Sequence, residues 1–192
     1  KADAQRGYEI ACKEWMDVRS FGQVFAFKGS DLSLGIRGPV SVQPAFSVDP
    51  IDITSMQITK SVNSEDKEGK SSDTMGMKHR VDFGVYILKG SINVQLSEKT
   101  GFTEEDAEKI KEAIRTLFVN DSSSARPDGS MVMHKLYWWK HNCKIGQYSS
   151  HKVHNSIEIK KKEGVRNPRK IEDYEIICHE LPGLAVEEYE GL

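Results

Sequence analysis

The sequence lacks the features that mark a membrane protein or a disulfide-stabilised secreted domain. Its 192 residues contain no run of about 18 apolar residues, so we predict no membrane-spanning helix. We also find no recognisable signal peptide. The three cysteines, Cys12, Cys143 and Cys178, lie far apart and form no CxxC pair. This pattern favours free thiols and a cytoplasmic location.

Enzyme motifs are also lacking. The chain contains no P-loop, GxGxxG, GxSxG or HExxH pattern. His141, Cys143, His151 and His154 could supply metal ligands, but such short patterns arise easily by chance. The acidic residues lie away from these histidines, on a predicted helix and in the C-terminal segment. We therefore predict no catalytic residue, no metal and no cofactor.

Positive charge, in contrast, is concentrated in one stretch. The chain has a net charge of −2, yet residues 134–170 contain ten Lys or Arg and only two Glu. Phosphate binding responds to local charge rather than to the chain total. The stretch is either an anion-binding surface or a solvated face that balances acidic residues elsewhere.

Hydrophobic periodicity predicts a mixture of helices and strands. Residues 7–17 and 103–119 carry apolar residues at helical spacing, with Gly22 ending the first helix and Thr103 capping the second. The polar residues 63–74 are expected to form an exposed loop. Residues 24–27 form a short apolar run, and the predicted strands are 34–48, 51–62, 78–95, 131–145, 156–162 and 174–179. This order fits an α+β fold with a helix on one face of an antiparallel sheet.

Several short segments combine cations with glycines or aromatic rings. At residues 19–22 and 37–39 an arginine lies beside a glycine, where backbone N–H groups could approach a phosphate. Residues 78–80 place three potential cations at the base of a predicted hairpin. Trp138 and Trp139 point to opposite faces of a strand, and we expect them to serve mainly in packing.

An ordered series of segments resembles the backbone subunit of type I CRISPR Cascade complexes, most closely that of type I-C. No single segment is specific, but their order is that of the family. The segments are 17–22, 37–43, 47–51, 74–79, 84–86, 101–106, 121–126 and 150–152.

The resemblance implies a modified RNA-recognition (ferredoxin-like) fold with a protruding thumb hairpin, here from about residue 46 to residue 80. Such subunits stack along CRISPR RNA (crRNA), grip its backbone, and display its bases for pairing with target DNA. The implied partners are crRNA, target DNA through the guide, further copies of the chain and other Cascade subunits. The family begins with a strand, an Asn/Gly-rich loop and a helix that we expect upstream of Lys1. Residues 1–192 would then form one palm domain that is incomplete at its N-terminus.

The resemblance also implies which residues contact RNA. They are Arg19, Ser20, Phe21, Gly22, Arg37, Gly38, Met75, Lys78, His79 and Lys152. Either Met56 or Met75 is expected to be the wedge that displaces a nucleotide. The family's SAARG-like segment ends in Pro127 here, so a contact through its glycine is not transferred.

Two other functions remain open at this stage. One is a metal-dependent ribonuclease of related fold, which needs acids or histidines at the RNA face. The other is a structural assembly protein whose basic stretch meets an acidic neighbour, because residues after Lys170 include seven acids and no Lys or Arg.

Overall fold

A computed structural model describes residues 2–26, 33–60 and 75–192. The chain forms two compact units. Unit 1 comprises Lys1–Gln43, Lys89–Ile157 and Cys178–Leu192, and unit 2 comprises Pro44–Leu88 and Glu158–Ile177. The predicted insertion at about 46–80 falls within unit 2, and one palm domain over the whole chain stays a prediction. Among the described residues, no helix is both long and apolar enough to cross a membrane.

Side-chain caps or glycines mark the ends of several helices. The helices are α1 (Ala2–Glu14), α2 (Met16–Phe21), α3 (Val94–Thr100), α4 (Glu104–Arg115) and α5 (Ser150–His154), with a short 3-10 turn at Ile171–Asp173. The Thr103 hydroxyl accepts from the Asp106 N–H while the Asp106 carboxylate accepts from the Thr103 N–H, which confirms the predicted start of α4. Asn93 caps α3 by accepting from the Leu96 N–H, and Gly101 ends that helix in the left-handed conformation.

The described strands form six antiparallel pairs. They are β1 (Gly22–Ala26) with β2 (Ser33–Arg37), β3 (Val40–Val42) with β8 (Gly90–Ile92), β4 (Phe46–Ser47) with β7 (Tyr86–Ile87), β5 (Ile53–Thr59) with β6 (Met75–Val81), β9 (Lys135–Trp139) with β12 (Val186–Glu190), and β10 (Ile157–Lys161) with β11 (Tyr174–Cys178). This mixture of helices and small antiparallel sheets confirms the α+β class. The RNA-recognition-like arrangement of strands stays a prediction.

A small apolar core holds the first part of unit 1 together. It consists of Ala11, Cys12, Val18 and Ile36, with Tyr8, Phe25 and Leu34 packed against it. These residues come from α1, α2, β1 and β2. The core therefore fixes the end of α2 against the β1–β2 pair, where several of the predicted site residues lie.

Several sequence predictions differ from the structure in element type or length. The first predicted helix is interrupted at Trp15, so that Gly22 ends the separate helix α2. The predicted strand over 34–48 is divided into β2, β3 and β4. The predicted strand over 78–95 is divided into β6, β7 and β8 and then gives way to α3. The predicted strand over 131–145 is shortened to β9, and the helix predicted to reach residue 119 ends at Arg115. The predicted loop at 63–74 lies outside the described residues.

Candidate functional site

The glycines beside the two predicted arginines allow two backbone segments to pack closely. Gly22 ends α2 with a φ of 85°, and its N–H donates to the Val18 carbonyl. A Cβ on Gly22 would lie 2.3 Å from the Ile36 carbonyl oxygen. A Cβ on Gly38 would lie 2.2 Å from the Ser20 carbonyl oxygen. Both positions therefore require glycine for α2 and β2 to pack together.

Ser20 and Phe21 have opposite environments at this junction. The Ser20 side chain is fully buried, and its hydroxyl donates to the Met16 carbonyl at 2.6 Å. Phe21 is 53% exposed. The Ser20 hydroxyl is thus unavailable to a ligand, whereas an RNA contact by the Phe21 ring stays a prediction.

Arg19 forms a bidentate ion pair with a buried carboxylate. Its Nε lies 2.8 Å from Asp106 Oδ2, and its Nη2 lies 2.6 Å from Asp106 Oδ1. The Asp106 side chain is 2% exposed and the Arg19 side chain 20%. The guanidinium hydrogen bonds lower the pKa of Asp106 to about 2. Arg19 thereby links α2 to α4, and its predicted contact with RNA would have to compete with this pair.

Arg37 lies on an open sheet face that points away from the core. It is directly opposite Gly22 in the β1–β2 pair, while its neighbour Ile36 is buried on the other face. Farther along the open face Val24 lies opposite Gly35, where an added Cβ would meet no atom within 4 Å. Arg37 is exposed and has no ion pair within the described ranges. Of the two predicted arginines in unit 1, Arg37 has the guanidinium that is available to an anion.

Unit 2 contains an exposed ribbon, defined here as the strand pair β5–β6. All but one of its residues are exposed, including Ile53, Ile58 and Met77. Directly opposed residues share a face, so the register places Met56 beside Lys78 on one face. Met75, at the beginning of β6, is 62% exposed. Exposed apolar groups at this density are typical of an interaction surface.

The three cations at the C-terminal end of the ribbon differ in their partners. His79 Nδ1 lies 2.8 Å from the Ser55 hydroxyl oxygen on the opposite strand. Arg80 Nε donates to Asp82 at 2.7 Å. Lys78 has no ion pair with any other described residue, so it is the member of this group whose charge is available.

Most of the cations in residues 134–170 are already paired. The pairs are Lys135 with Glu188 and Glu190, Lys140 with Glu104, Lys144 with Glu98, Lys160 with Glu175, Lys161 with Asp49, and Arg169 with Asp52. This pattern favours the interpretation of an internally balanced face. The local charge total therefore overestimates what this stretch can offer to an anion.

The aromatic residues of the same stretch pack within unit 1. The Lys111 ammonium lies 5.2 Å from the Trp138 ring centroid, and the Tyr137 and Trp139 rings stack with centroids 6.2 Å apart. Lys152, on the short helix α5, lies over the Tyr148 ring at 4.4 Å. Lys152 is exposed, and its predicted contact with the RNA backbone stays a prediction.

The histidines considered as metal ligands have other partners. His141 Nδ1 accepts from the Gln147 N–H at 2.9 Å, and His154 Nε2 lies 2.9 Å from the Gly90 carbonyl oxygen. In the part of the chain that the structure describes, no three His, Cys, Asp or Glu side chains are grouped closely enough to hold a metal ion.

Comparison with known proteins adds one match. The model of a family described as "CRISPR-associated protein Cas7" matches residues 1–179. A search of curated proteins finds no match to this chain.

Proposed function

We propose that this chain, which belongs to the CRISPR-associated protein Cas7 family, is an RNA-binding backbone subunit of a type I CRISPR surveillance complex, most like type I-C. The family match over residues 1–179 carries the proposal. In the proposed complex, several copies stack along crRNA in the cytoplasm, contact the other Cascade subunits, and present the guide for pairing with target DNA. The chain itself performs no chemistry.

The open face of the β1–β2 pair supports RNA-backbone binding in unit 1. A phosphate needs a cation that is free to donate and a surface without bulky side chains in the way. Arg37 supplies the first, and Gly35 on the same face supplies the second. Phe21 adds an exposed ring next to Gly22, on which an unpaired base could stack.

The exposed ribbon in unit 2 supports the assignment of a thumb. A two-stranded pair that is exposed on both faces has little to stabilise it alone, so it is suited to contact a partner. Met56, Met75 and Met77 offer flexible apolar groups that could wedge between bases. Lys78 lies opposite Met56 and could hold a phosphate beside such a wedge.

RNA binding at two salt concentrations tests the proposal. We expect length-dependent binding with little sequence preference that weakens by orders of magnitude as salt rises. Removing one phosphate contact should lower the salt slope by about 0.7 per copy for single-stranded RNA. Arg37→Gln and Lys78→Gln should each show this loss. Arg6→Gln is the matched control, because Arg6 is an exposed cation on α1 with no ion pair in the described ranges.

The number of bound copies provides a second measurement. In sedimentation experiments the stoichiometry should rise in steps as the RNA is lengthened. A single bound copy on every length of RNA, or equal losses in Arg37→Gln and Arg6→Gln, would contradict the proposal. Cleavage of labelled RNA in the presence of Mn²⁺ or Zn²⁺, if lost in His151→Ala, would favour a ribonuclease instead.

A further inference from the structure

Unit 2 contains a cavity of about 280 Å³ that is separate from the exposed ribbon. It is lined by residues 49–52, 83–85 and 166–169 and by Lys161 and Tyr174. Its volume lies near the lower limit for small-molecule sites, about 300 Å³. A single mononucleotide is of this size class, whereas a carboxylate side chain would leave most of the cavity empty.

The cavity has more available positive charge than negative charge. Lys161 is held by Asp49 at 3.1 Å, and the Tyr174 hydroxyl donates to the same carboxylate at 2.8 Å. Arg169 lies 3.7 Å from Asp52, which is beyond hydrogen-bond distance. Arg166 has no ion pair with another described residue. Two guanidinium groups can therefore donate to a phosphate without breaking a hydrogen-bonded ion pair.

The remaining lining suits a base. Phe83 is half-buried and lines the cavity, so part of its ring is available for stacking. The Asp52 side chain is 83% exposed and its ion pair with Arg169 at 3.7 Å is not hydrogen-bonded, so its carboxylate can still accept hydrogen bonds from a ligand. A carboxylate accepts a hydrogen bond from the exocyclic amino group of cytosine. Uracil carries a carbonyl oxygen at that position, which cannot donate.

We propose that this cavity binds one nucleotide, with its phosphate on Arg166 and Arg169, its base against Phe83, and the base amino group on Asp52. The proposal goes beyond the backbone role because it assigns a mononucleotide site to unit 2. Its ligand class is a nucleoside monophosphate with an amino-bearing base. An acidic peptide would use the same arginines but not Phe83 or Asp52.

Titration of the full chain with cytidine and uridine monophosphates, followed by NMR or calorimetry, tests the site. We expect saturable binding of cytidine monophosphate and roughly tenfold weaker binding of the uridine compound. Arg166→Gln should weaken cytidine monophosphate binding roughly tenfold. Lys162→Gln should leave it within about twofold, because Lys162 is exposed in the same unit but does not line the cavity. Asp52→Ala should abolish the preference for cytidine over uridine.

Three results would overturn the proposal. They are the absence of saturable binding, equal losses in Arg166→Gln and Lys162→Gln, and displacement of the nucleotide by a glutamate-rich peptide at equal concentration. Thermal melting establishes that each variant is folded, and Phe83→Leu provides an independent loss of stacking. Failure here with intact RNA binding that depends on Arg37 would leave the backbone role standing. Loss of RNA binding with an intact nucleotide site would contradict the backbone role and leave the nucleotide site standing.

Discussion

The ion pair between Arg19 and Asp106 gives the sharpest prediction about stability. Replacing Asp106 by Asn keeps the size of the side chain but removes the charge that two guanidinium nitrogens contact at 2.6 and 2.8 Å. The substitution also weakens the capping interaction with Thr103 at the start of α4. We expect the variant to fold with a lower free energy of unfolding.

The size of the loss follows from the pKa of Asp106. Folding lowers that pKa from 3.8 to about 2, and a tenfold change in acidity corresponds to about 1.4 kcal/mol. The charged carboxylate therefore contributes about 2 kcal/mol at neutral pH. Asp106→Ala should lose about 3 kcal/mol, since removing the cap costs about 1 kcal/mol more.

Urea unfolding followed by circular dichroism measures this loss, and a double-mutant cycle with Arg19→Gln separates the pair from the cap. We expect a coupling energy of about 2 kcal/mol between the two positions. The dependence on pH has a definite sign because folding lowers the pKa of an acid. The contribution is complete above about pH 5 and is lost as the pH falls towards about 2. The difference between the wild type and Asp106→Asn should shrink over that range.

Either of two results would refute this reasoning. If Arg19→Gln left the free energy of unfolding unchanged but lowered RNA affinity and the salt slope as Arg37→Gln is expected to do, Arg19 would be an RNA contact rather than a structural link. A coupling energy near zero would also refute the reasoning, because Arg19 and Asp106 would then not stabilise the fold as a pair. Arg6→Gln controls for the general effect of removing one positive charge.

Three further predictions concern other parts of the chain. Gly38→Ala should lower stability by about 2 kcal/mol or more, because its Cβ would lie 2.2 Å from a backbone oxygen, while Gly35→Ala in β2 should be tolerated; thermal melting compares them. Burial and Asp49 raise the pKa of Tyr174 to about 12, so Tyr174→Phe should remove the component of an ultraviolet titration that ionises near that pH. The contribution of Tyr174 to stability is lost as the pH rises from about 10 to about 12. Replacing both members of the Lys144–Glu98 pair by Gln should leave RNA affinity within about twofold, whereas a larger loss would make Lys144 an RNA contact.

Local signals in the sequence predicted the elements that depend on neighbouring residues. Thr103 and Asp106 mark the start of α4, and Gly22 marks the end of α2. The same kind of signal was present at Asn93 and Gly101, which bound α3, but the β-branched residues before them favoured one long strand. The sequence did not predict β12, because three of its five residues are acidic. A run of acidic residues usually indicates a solvated segment.

The candidate site was harder to predict because it depends on contacts between distant residues. An arginine beside a glycine indicates an anion site only if the guanidinium is free and the glycine faces open space. Arg19 fails the first condition through Asp106, which is 87 residues away. Gly22 and Gly38 fail the second because each faces backbone atoms of the other segment. No periodicity in a single sequence reports these distant partners.

The distribution of ion pairs therefore ranks the cations better than their density along the chain does. A cation that already has a carboxylate must give up that partner to bind a phosphate, and the exchange yields little net free energy. Arg37, Lys78 and Arg166 have no such partner in the described ranges, although they lie in segments of very different local charge. Arg37 and Lys78 are therefore the cations to test first against RNA, and Arg166 the one to test against a nucleotide.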